Sequence, residues 1–383
     1  NYLVLAPVAY ANEDYVYQSI YPTSIAKCEM VKNAHDIVDI CLRNAEKAGI
    51  KVFLGLNFHN EWWIRHANDE EWLYEQMKIG NEIADELYRN YKYKYPNALF
   101  GWYWVWEVDN LNFKTKEQQD ILARALNINL NHLNSMEERL PFMLCPFMNH
   151  LCGDVDEYRD MWINVFSKTN FTNDDIFCPQ DCVGAGGLNM EIFEKWIEGL
   201  SYAVKTKSGL RYWIDIETFD QTDWTSATID RFIKQLKVAW KYAENAITFA
   251  YSHYYSPNNN SSGYHDVYKQ YTKSGSLYSD FPEGPKNLRV VKKDNEVIKL
   301  IWDHPEKTSD ICGYFIYRNG ALIAKNQVKR LQYGKGLALG NEIEYDVSKA
   351  GDTFVYEVKS YDFAGNTSKQ GARYIYNRKN NKK

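Results

Sequence analysis

Two glutamates stand directly after strand-like apolar runs in this 383-residue sequence. Glu107 follows the run at residues 100–106, and Glu217 follows the run at residues 211–216. Glycosidic cleavage needs one carboxyl that gives its proton to the leaving oxygen and a second that attacks or stabilises the oxocarbenium-like centre. Taken singly, each glutamate fits a salt bridge to a loop Arg or Lys equally well. As a pair across a cleft, they indicate a two-carboxylate active site.

Further polar and aromatic residues at the predicted strand ends could bind a hydroxyl-rich ligand, because several hydrogen-bonding groups converging on one mouth suit such a ligand. The proposed substrate-binding residues are Asn57, His59, Trp62, Trp63, Tyr103, Asn149, His150, Gln180, Asp181, Asp215, His253, Tyr254 and Tyr255. Among them, the indoles of Trp62 and Trp63 are the best candidates for stacking on sugar rings. A histidine at a strand end is more often a structural residue than a catalytic one.

Other chemistries have weaker support in the sequence. A metal-dependent barrel would need an H-x-H pair, and Asn57-Phe58-His59 offers one histidine only. Cys178 and Cys182 have C-x3-C spacing but no second Cys/His pair at metal spacing. A G-x-S-x-G nucleophile motif is absent from the sequence. We therefore expect no metal and no organic cofactor.

Composition limits the partners of the chain. Lys+Arg 45 against Asp+Glu 50 gives a net charge of -5, which argues against binding to nucleic acid or to anionic lipid. No run of twenty apolar residues predicts a membrane span. Aromatic residues make up 15% of the chain, more than expected, and we expect most of them to fill the core.

The elements that position the glutamates alternate between strands and helices. Strands are predicted at residues 2–8, 50–56, 99–106, 141–147, 175–180, 211–216 and 246–251. Helices are predicted at residues 33–47, 71–91, 116–134, 155–166, 190–205 and 227–242. This order implies parallel strands. A (β/α)8 TIM-type barrel of the α/β class explains the order better than a doubly wound sheet does, because no glycine-rich turn follows the first strand. The predicted strands number seven, one fewer than such a barrel has. The barrel would therefore lack its first strand in this chain, unless the barrel closes in an unusual way.

A barrel of this kind carries its chemistry where strands end on the carboxyl face, which is where both glutamates stand. Strand alternation would turn Tyr103 inward with Glu107 and turn Trp102, Trp104 and Trp106 toward the helices. By the same alternation, Asp215 would lie one layer below Glu217. These tryptophans are therefore expected in the core and not in a sugar site.

The pattern changes after residue 281. Short alternating strands are predicted at residues 288–291, 297–302, 313–318, 321–324, 342–346 and 353–361, with turns at Asn319-Gly320 and Ala364-Gly365-Asn366. This spacing indicates an all-β sandwich. We predict a barrel at residues 1–281, a β-sandwich at 282–378 and a disordered basic tail at 379–383.

The C-terminal part resembles a fibronectin type III module. The resemblance rests on Gly284-Pro285, on Trp302 at the end of the second strand, on the run 313–318, and on the run 356–362 with the turn after it. No catalytic cluster is evident in this part, so the resemblance implies a spacer or docking module, for instance for a cell surface or a polysaccharide. Such modules accompany secreted or cell-surface bacterial enzymes, which is where we expect this protein to act.

Residues 1–281 resemble a bacterial family of glycosidase-like (β/α)8 barrels still labelled as a domain of unknown function. The matching pieces are Gly55-Leu56 before Trp62-Trp63, Gly101-Trp102-Tyr103 with Glu107, Pro179-Gln180-Asp181 with Gly184, Asp215-Ile216-Glu217 with Phe219, and Tyr254-Tyr255-Ser256-Pro257. More broadly, the chain resembles retaining glycoside hydrolases whose acid/base and nucleophile end strands four and seven. The resemblance implies that Glu107 is the acid/base and Glu217 the nucleophile.

One departure from that superfamily is Trp106, because the common pattern has Asn immediately before the acid/base. The expected function is a retaining glycoside hydrolase acting on an oligo- or polysaccharide. The alternative is an inactive barrel that binds carbohydrate or acts as a scaffold.

Overall fold

The computed structural model describes residues 1–12, 16–293, 297–330, 337–346 and 353–377. They form two compact units. The first comprises Asn1–Glu217 and Gln235–Thr248, and the second comprises Thr218–Lys234 and the chain from Phe249 onward. This division follows compactness, and the predicted domain boundary after residue 281 stays a prediction. The predicted tail at 379–383 lies outside the described residues.

The first unit is built on a nearly closed parallel barrel, in which the described residues supply seven strands. In barrel order these strands are Tyr2–Leu5, Lys51–Gly55, Leu99–Trp104, Phe142–Leu144, Ile176–Phe177, Arg211–Glu217 and Asn245–Phe249. Below they are called the first to seventh barrel strands. The predicted alternation of strands and helices is confirmed, whereas an additional strand before the first stays a prediction.

A single apolar cluster fills the barrel interior, and all seven of these strands contribute to it or are followed by a residue that does. Its members are Phe53, Met143, Cys145, Ile176, Cys178 and Trp213, with Tyr2, Val4, Phe100, Tyr103 and Ile247 packed against them. The register of the second and third strands shifts at Phe100, which brings both Phe100 and Tyr103 into this cluster. A Cβ at Gly101 would lie 2.4 Å from the Phe53 ring, so a residue without a side chain is required there.

Helices cover the outside of the barrel strands. Their bounds are Ile37–Ala48, Trp62–Arg65, Glu70–Leu87, Lys116–Asn134, Val155–Lys168, Phe193–Lys205 and Ile229–Ala239, with a π-helical turn at Tyr88–Lys92 and a 3-10 turn at His66–Asn68. Capping boxes begin two of them, Thr115 with Gln118 and Asp154 with Glu157. The six long helices expected from the sequence are therefore present, with ends shifted by a few residues.

A small sheet stands at the carboxyl ends of the first two barrel strands and was not predicted. Its strands, in sheet order, are Cys28–Met30, Tyr17–Ser19, Ala9–Ala11 and Asn57–His59. Ala9–Ala11 pairs in parallel with Asn57–His59, so that Tyr10 lies opposite Phe58. The chain therefore leaves the barrel at Gly55 and starts a second, separate strand two residues later.

The second unit contains antiparallel sheets. One has the order Lys286–Lys292, Val297–Asp303 and Glu342–Asp346, and the other has the order Ala321–Gln327, Ile311–Arg318, Thr353–Asp362 and Ala372–Asn377. Two-stranded pairs form at Phe219–Asp220 with Thr225–Ser226 and at Lys329–Arg330 with Leu337–Ala338, and helices at Tyr251–Tyr254 and Ser262–Ser274. An apolar core containing Trp302, Tyr314 and Tyr356 packs between the larger sheets. The six predicted strands are confirmed, and Ala372–Asn377 was missed.

Candidate active site

Glu107 lies three residues beyond the end of the third barrel strand, at the carboxyl face. The Nε2 amide of Gln180 donates a hydrogen bond to Glu107 Oε1 over 3.1 Å. From the other side, the Trp62 indole N–H donates to the Glu107 backbone carbonyl over 3.0 Å. The backbone and the side chain of Glu107 are therefore both held, and the residue as a whole is half-buried.

The surroundings of Glu107 favour its protonated form. Burial raises the pKa of this carboxyl above its ordinary value, and the negative charge of Asp109 raises it further. The hydrogen bond from Gln180 acts in the opposite direction and offsets only part of the effect. A carboxyl that keeps its proton at a higher pH than usual is suited to act as a general acid.

Glu217 is the last residue of the sixth barrel strand and is 2% exposed. Its Oε2 accepts a hydrogen bond from the backbone N–H of Ala185 over 2.6 Å. Its own backbone N–H donates to Asp181 Oδ1 over 3.3 Å, and its carbonyl accepts from Gln235 Nε2 over 3.2 Å. A backbone N–H directed at a carboxylate oxygen stabilises the ionised form.

The loop that supplies the Ala185 N–H follows the fifth barrel strand and is tightly fixed. Cys182 has a φ of 55°, and its sulfur accepts a hydrogen bond from the Met148 N–H over 3.2 Å. A Cβ at Gly187 would lie 2.4 Å from the Met148 carbonyl oxygen, so only glycine allows this close approach. Sequence reasoning missed Ala185, because a backbone donor leaves no signal in residue type.

Both candidate catalytic carboxyls affect the pKa of the Cys182 thiol. Burial raises its pKa well above the ordinary value, and the negative charges of Glu217, Asp181 and Glu107 add to the effect. Glu107 and Glu217 therefore stand close enough to one thiol to act on it electrostatically. The fold brings the two predicted glutamates to the same end of the barrel.

Tyr103 belongs to the third barrel strand and Asp215 to the sixth. Burial raises the pKa of the Tyr103 hydroxyl well above its ordinary value, with contributions from Cys145, Asp215 and Glu107. Asp215 is 7% exposed and pairs with Gln180 in an isolated parallel bridge between the fifth and sixth strand ends. Gln180 therefore links the Glu107 carboxyl to the strand that carries Asp215, and the predicted position of Asp215 one layer below Glu217 stays a prediction.

Trp104 of the third strand faces a helix, as alternation predicted. The Trp104 indole N–H donates to Asn129 Oδ1 over 3.1 Å, and Asn129 belongs to the helix Lys116–Asn134. Trp102, Trp104 and Trp106 are all buried. The prediction that these rings fill the core is confirmed.

Asp181 requires a correction, because it cannot touch a substrate directly. Its side chain is completely buried. Oδ1 accepts hydrogen bonds from the Val183 and Glu217 backbone N–H groups over 3.1 and 3.3 Å, and Oδ2 accepts from Gln235. Asp181 therefore fixes the backbone of Glu217 and the backbone of the loop that follows Asp181 itself.

Asn57 and His59 were also expected in the mouth, and the structure corrects both. Each is 1% exposed. Asn57 Nδ2 donates to the Tyr17 hydroxyl over 3.2 Å and to the Gln76 carbonyl over 3.0 Å, while His59 Nδ1 accepts from the Glu61 N–H over 3.1 Å. They belong to the small sheet and not to the barrel strand, so they face a helix and a neighbouring loop.

Trp62 is not a stacking surface, in contrast to the prediction. It is completely buried, and its ring lies 5.8 Å from the Phe113 ring at an interplanar angle of 29°. Its role in the structure is to hold the Glu107 carbonyl. Trp63 is 45% exposed and remains a candidate for stacking.

His150 contacts the loop that carries Ala185, and Asn149 contacts Asn110. The backbone N–H and Nδ1 of His150 lie 3.0 and 2.7 Å from the Gly187 carbonyl oxygen. Asn149 exchanges backbone-to-side-chain hydrogen bonds with Asn110 over 2.9 and 2.8 Å. Their roles in substrate binding stay predictions.

His253, Tyr254 and Tyr255 belong to the second compact unit. Tyr255 is 1% exposed and packs against Phe232 and Tyr264, so its predicted contact with substrate is corrected. The Tyr254 ring stacks on Phe219 with centroids 5.4 Å apart. His253 is exposed, and the substrate contacts predicted for it and for Tyr254 stay predictions.

Within the described part of the chain, no three His, Cys, Asp or Glu side chains are grouped to hold a metal ion. Among the same residues, no helix has both the length and the apolar character needed to cross a membrane.

Comparison with known proteins identifies a family model, described as a domain of unknown function (DUF4434), that matches residues 1–261. No curated protein matches the chain. Among solved structures, the chitinase ChiA74 from Bacillus thuringiensis has 12% identity and a TM-score of 0.39, with 93% of this chain and 70% of that chain covered.

Two other solved structures match only short stretches. The family 28 exopolygalacturonase of Yersinia enterocolitica has 19% identity and a TM-score of 0.21, covering 25% of this chain and 20% of that chain. The central fibronectin-III array of RIM-binding protein has 20% identity and a TM-score of 0.21, covering 28% and 36%. This chain spans about a fifth and about a third of these two proteins, and at such TM-scores none of the three similarities carries an argument about function.

Proposed function

This chain belongs to the DUF4434 family, whose description assigns no function, and we propose that it is a retaining glycoside hydrolase. In this proposal, Glu107 is the general acid/base and Glu217 is the nucleophile. The substrate is an oligo- or polysaccharide bound at the carboxyl face of the barrel.

The observation that carries the proposal is the contrast between the two carboxyl environments. Burial raises the pKa of Glu107, whereas Glu217 accepts a 2.6 Å hydrogen bond from a backbone N–H. A carboxyl with a raised pKa beside one that accepts a backbone N–H is how one site can hold a proton donor next to an ionised nucleophile. A neutral amide donates a hydrogen bond to each carboxyl, Gln180 Nε2 to Glu107 and the Ala185 backbone N–H to Glu217.

The reaction then proceeds in two steps. In the first, Glu217 attacks the anomeric carbon, the glycosidic C–O bond breaks, and Glu107 gives its proton to the leaving oxygen. In the second, the Glu107 carboxylate takes a proton from water, and the water oxygen displaces Glu217 from the anomeric carbon. Retention requires the two carboxyl groups to lie roughly 5–5.5 Å apart, against about 6.5–9.5 Å for inversion.

Three side chains near Glu107 are proposed to contact the sugar. Gln180 and Tyr103 are both partly exposed, and Gln180 already contacts the Glu107 carboxyl. Asp215 is proposed to sit one layer deeper. Hydroxyl, amide and carboxylate groups converging on one mouth suit a ligand rich in hydroxyl groups.

The C-terminal antiparallel sheets are proposed to form a fibronectin type III module that acts as a spacer or docks the enzyme on a surface or polysaccharide. Its support is the predicted strand pattern and the two packed sheets of the second unit. Secretion or display at the cell surface follows from this pairing by analogy only.

A screen on nitrophenyl glycosides and on plant or host polysaccharides tests the function, with the anomeric form of the first product followed by NMR. We expect turnover with retained configuration, and a loss of at least about a hundredfold in Glu107→Gln and Glu217→Gln. Glu191→Gln, an exposed glutamate at residue 191, serves as the matched control. Turnover that persists in both variants, or an inverted product, contradicts the assignment, and binding without turnover in the wild type favours the inactive barrel.

A further inference from the structure

An exposed group of aromatic rings stands beside Glu107 and is not used by the proposed mechanism. It consists of Tyr10, Phe58 and Trp63, which we call the aromatic platform. The Tyr10 and Phe58 rings are nearly parallel, with centroids 6.2 Å apart at 15°, and Trp63 lies 5.9 Å from Phe58. Tyr10 is 41% exposed and Trp63 is 45% exposed, while Phe58 is buried between them.

The small sheet explains why Tyr10 and Phe58 share one face. Tyr10 lies opposite Phe58 in the parallel pairing of Ala9–Ala11 with Asn57–His59. Because side chains alternate along a strand, Asn57 and His59 point the other way, where they are buried. Tyr10 and Phe58 are thus displayed by paired backbone, and Trp63 is carried by the short helix Trp62–Arg65.

The platform is continuous with the candidate acid/base. The Phe58 ring rests on the Trp106 ring with centroids 5.3 Å apart, and Trp106 directly precedes Glu107. Trp62, the neighbour of Trp63, donates its indole hydrogen bond to the Glu107 carbonyl. These two contacts place the platform next to the backbone that carries Glu107.

We propose that the aromatic platform binds a sugar ring of the leaving group, on the Glu107 side of the scissile bond. This inference rests on the proposed function, because it takes Glu107 as the proton donor. A pyranose presents an apolar face of C–H groups between its hydroxyls, which suits flat rings with a polar tip such as those of Tyr10 and Trp63. The ligand class is a neutral oligosaccharide that extends at least one ring beyond the cleaved bond.

The test uses binding, so that it does not depend on turnover. Neutral cello-, xylo- and chito-oligosaccharides of four to six rings are titrated against Glu217→Gln, and the tightest binder is then titrated against the same variant carrying Tyr10→Ala and Trp63→Ala. We expect affinity to fall by about tenfold or more, because two stacked rings are lost. Tyr202→Ala, which removes an exposed ring on the helix Phe193–Lys205, is the control and should bind as before.

A second readout locates the platform on the leaving-group side. In an otherwise native chain, Tyr10→Ala with Trp63→Ala should lower kcat/KM for an oligosaccharide but leave it within twofold for the matching glycosyl fluoride, whose leaving group has no ring. Unchanged oligosaccharide affinity, equal losses on both substrates, or no binding of any tested glycan overturns the proposal. A further outcome is that the wild type binds glycans through the platform but does not hydrolyse them. This outcome rejects the proposed function and the leaving-group assignment, and it supports glycan binding by these rings alone.

Discussion

The backbone N–H of Ala185 gives the sharpest test of how Glu217 is prepared for attack. Ala185→Pro removes this donor, which lies 2.6 Å from Glu217 Oε2, and leaves the Glu217 side chain in place. The preceding residue is Gly184, and glycine tolerates a following proline better than residues with a Cβ. Ala185 is not among the residues with positive φ, a conformation that a proline ring excludes.

The expected effect follows from the strength of this hydrogen bond. A hydrogen bond to a charged group contributes about 1.5–3 kcal/mol, and the acceptor here is 2% exposed, so solvent cannot replace the lost donor easily. If the bond orients Glu217 for attack, kcat/KM should fall by about ten- to a hundredfold. The control is Ala185→Gly, which keeps the N–H and removes only the methyl group.

The assay is steady-state hydrolysis of the best glycoside substrate, with thermal unfolding of each variant measured in parallel. We expect Ala185→Pro to lose activity while its Tm stays near that of the wild type, and Ala185→Gly to retain most activity. Wild-type kcat/KM in a folded Ala185→Pro variant refutes the reasoning. An equal loss in Ala185→Gly points to the shape of the loop and not to the hydrogen bond.

Two further predictions concern the charge of Glu107. Gln180→Leu removes the hydrogen bond that lowers the pKa of Glu107, so this pKa should rise. It is measured by NMR titration of ¹³C-labelled glutamate side chains, with Glu107→Gln used to assign the signal. An unchanged or lower pKa contradicts the role given to Gln180. Glu107→Gln should raise Tm at pH 7, because a carboxyl whose pKa is raised on folding destabilises the folded state once it is ionised. The gain should shrink as pH falls through the pKa of Glu107 and vanish below the ordinary carboxyl range, and a gain that does not depend on pH contradicts the reasoning.

Several features could be predicted from the sequence because they depend on local patterns. The barrel strands and their helices follow from hydrophobic periodicity, which records burial on one or both faces of each element. Glu107 and Glu217 could be selected because the carboxyl ends of parallel strands meet at one face of a barrel. The burial of Trp104 followed from simple alternation along its strand.

Other predictions failed because a strand was interrupted. The chain leaves the barrel at Gly55 and enters a second sheet at Asn57, so the expectation that Asn57 and His59 stand at the end of a barrel strand gave them the wrong surroundings. Pairing with Ala9–Ala11, far away in sequence, decides this change. No local pattern records such a pairing.

The sequence by itself therefore determined the α/β class of the first unit, the antiparallel strands of the C-terminal part and the positions of two glutamates at strand ends. Only the tertiary structure decided that Trp62 is buried and holds Glu107, that Asp181 holds the backbone of Glu217, and that Ala185 donates to its carboxyl. The physical reason is that periodicity reports whether a side chain is buried, whereas the partner of a buried polar group depends on which distant segments pack against it.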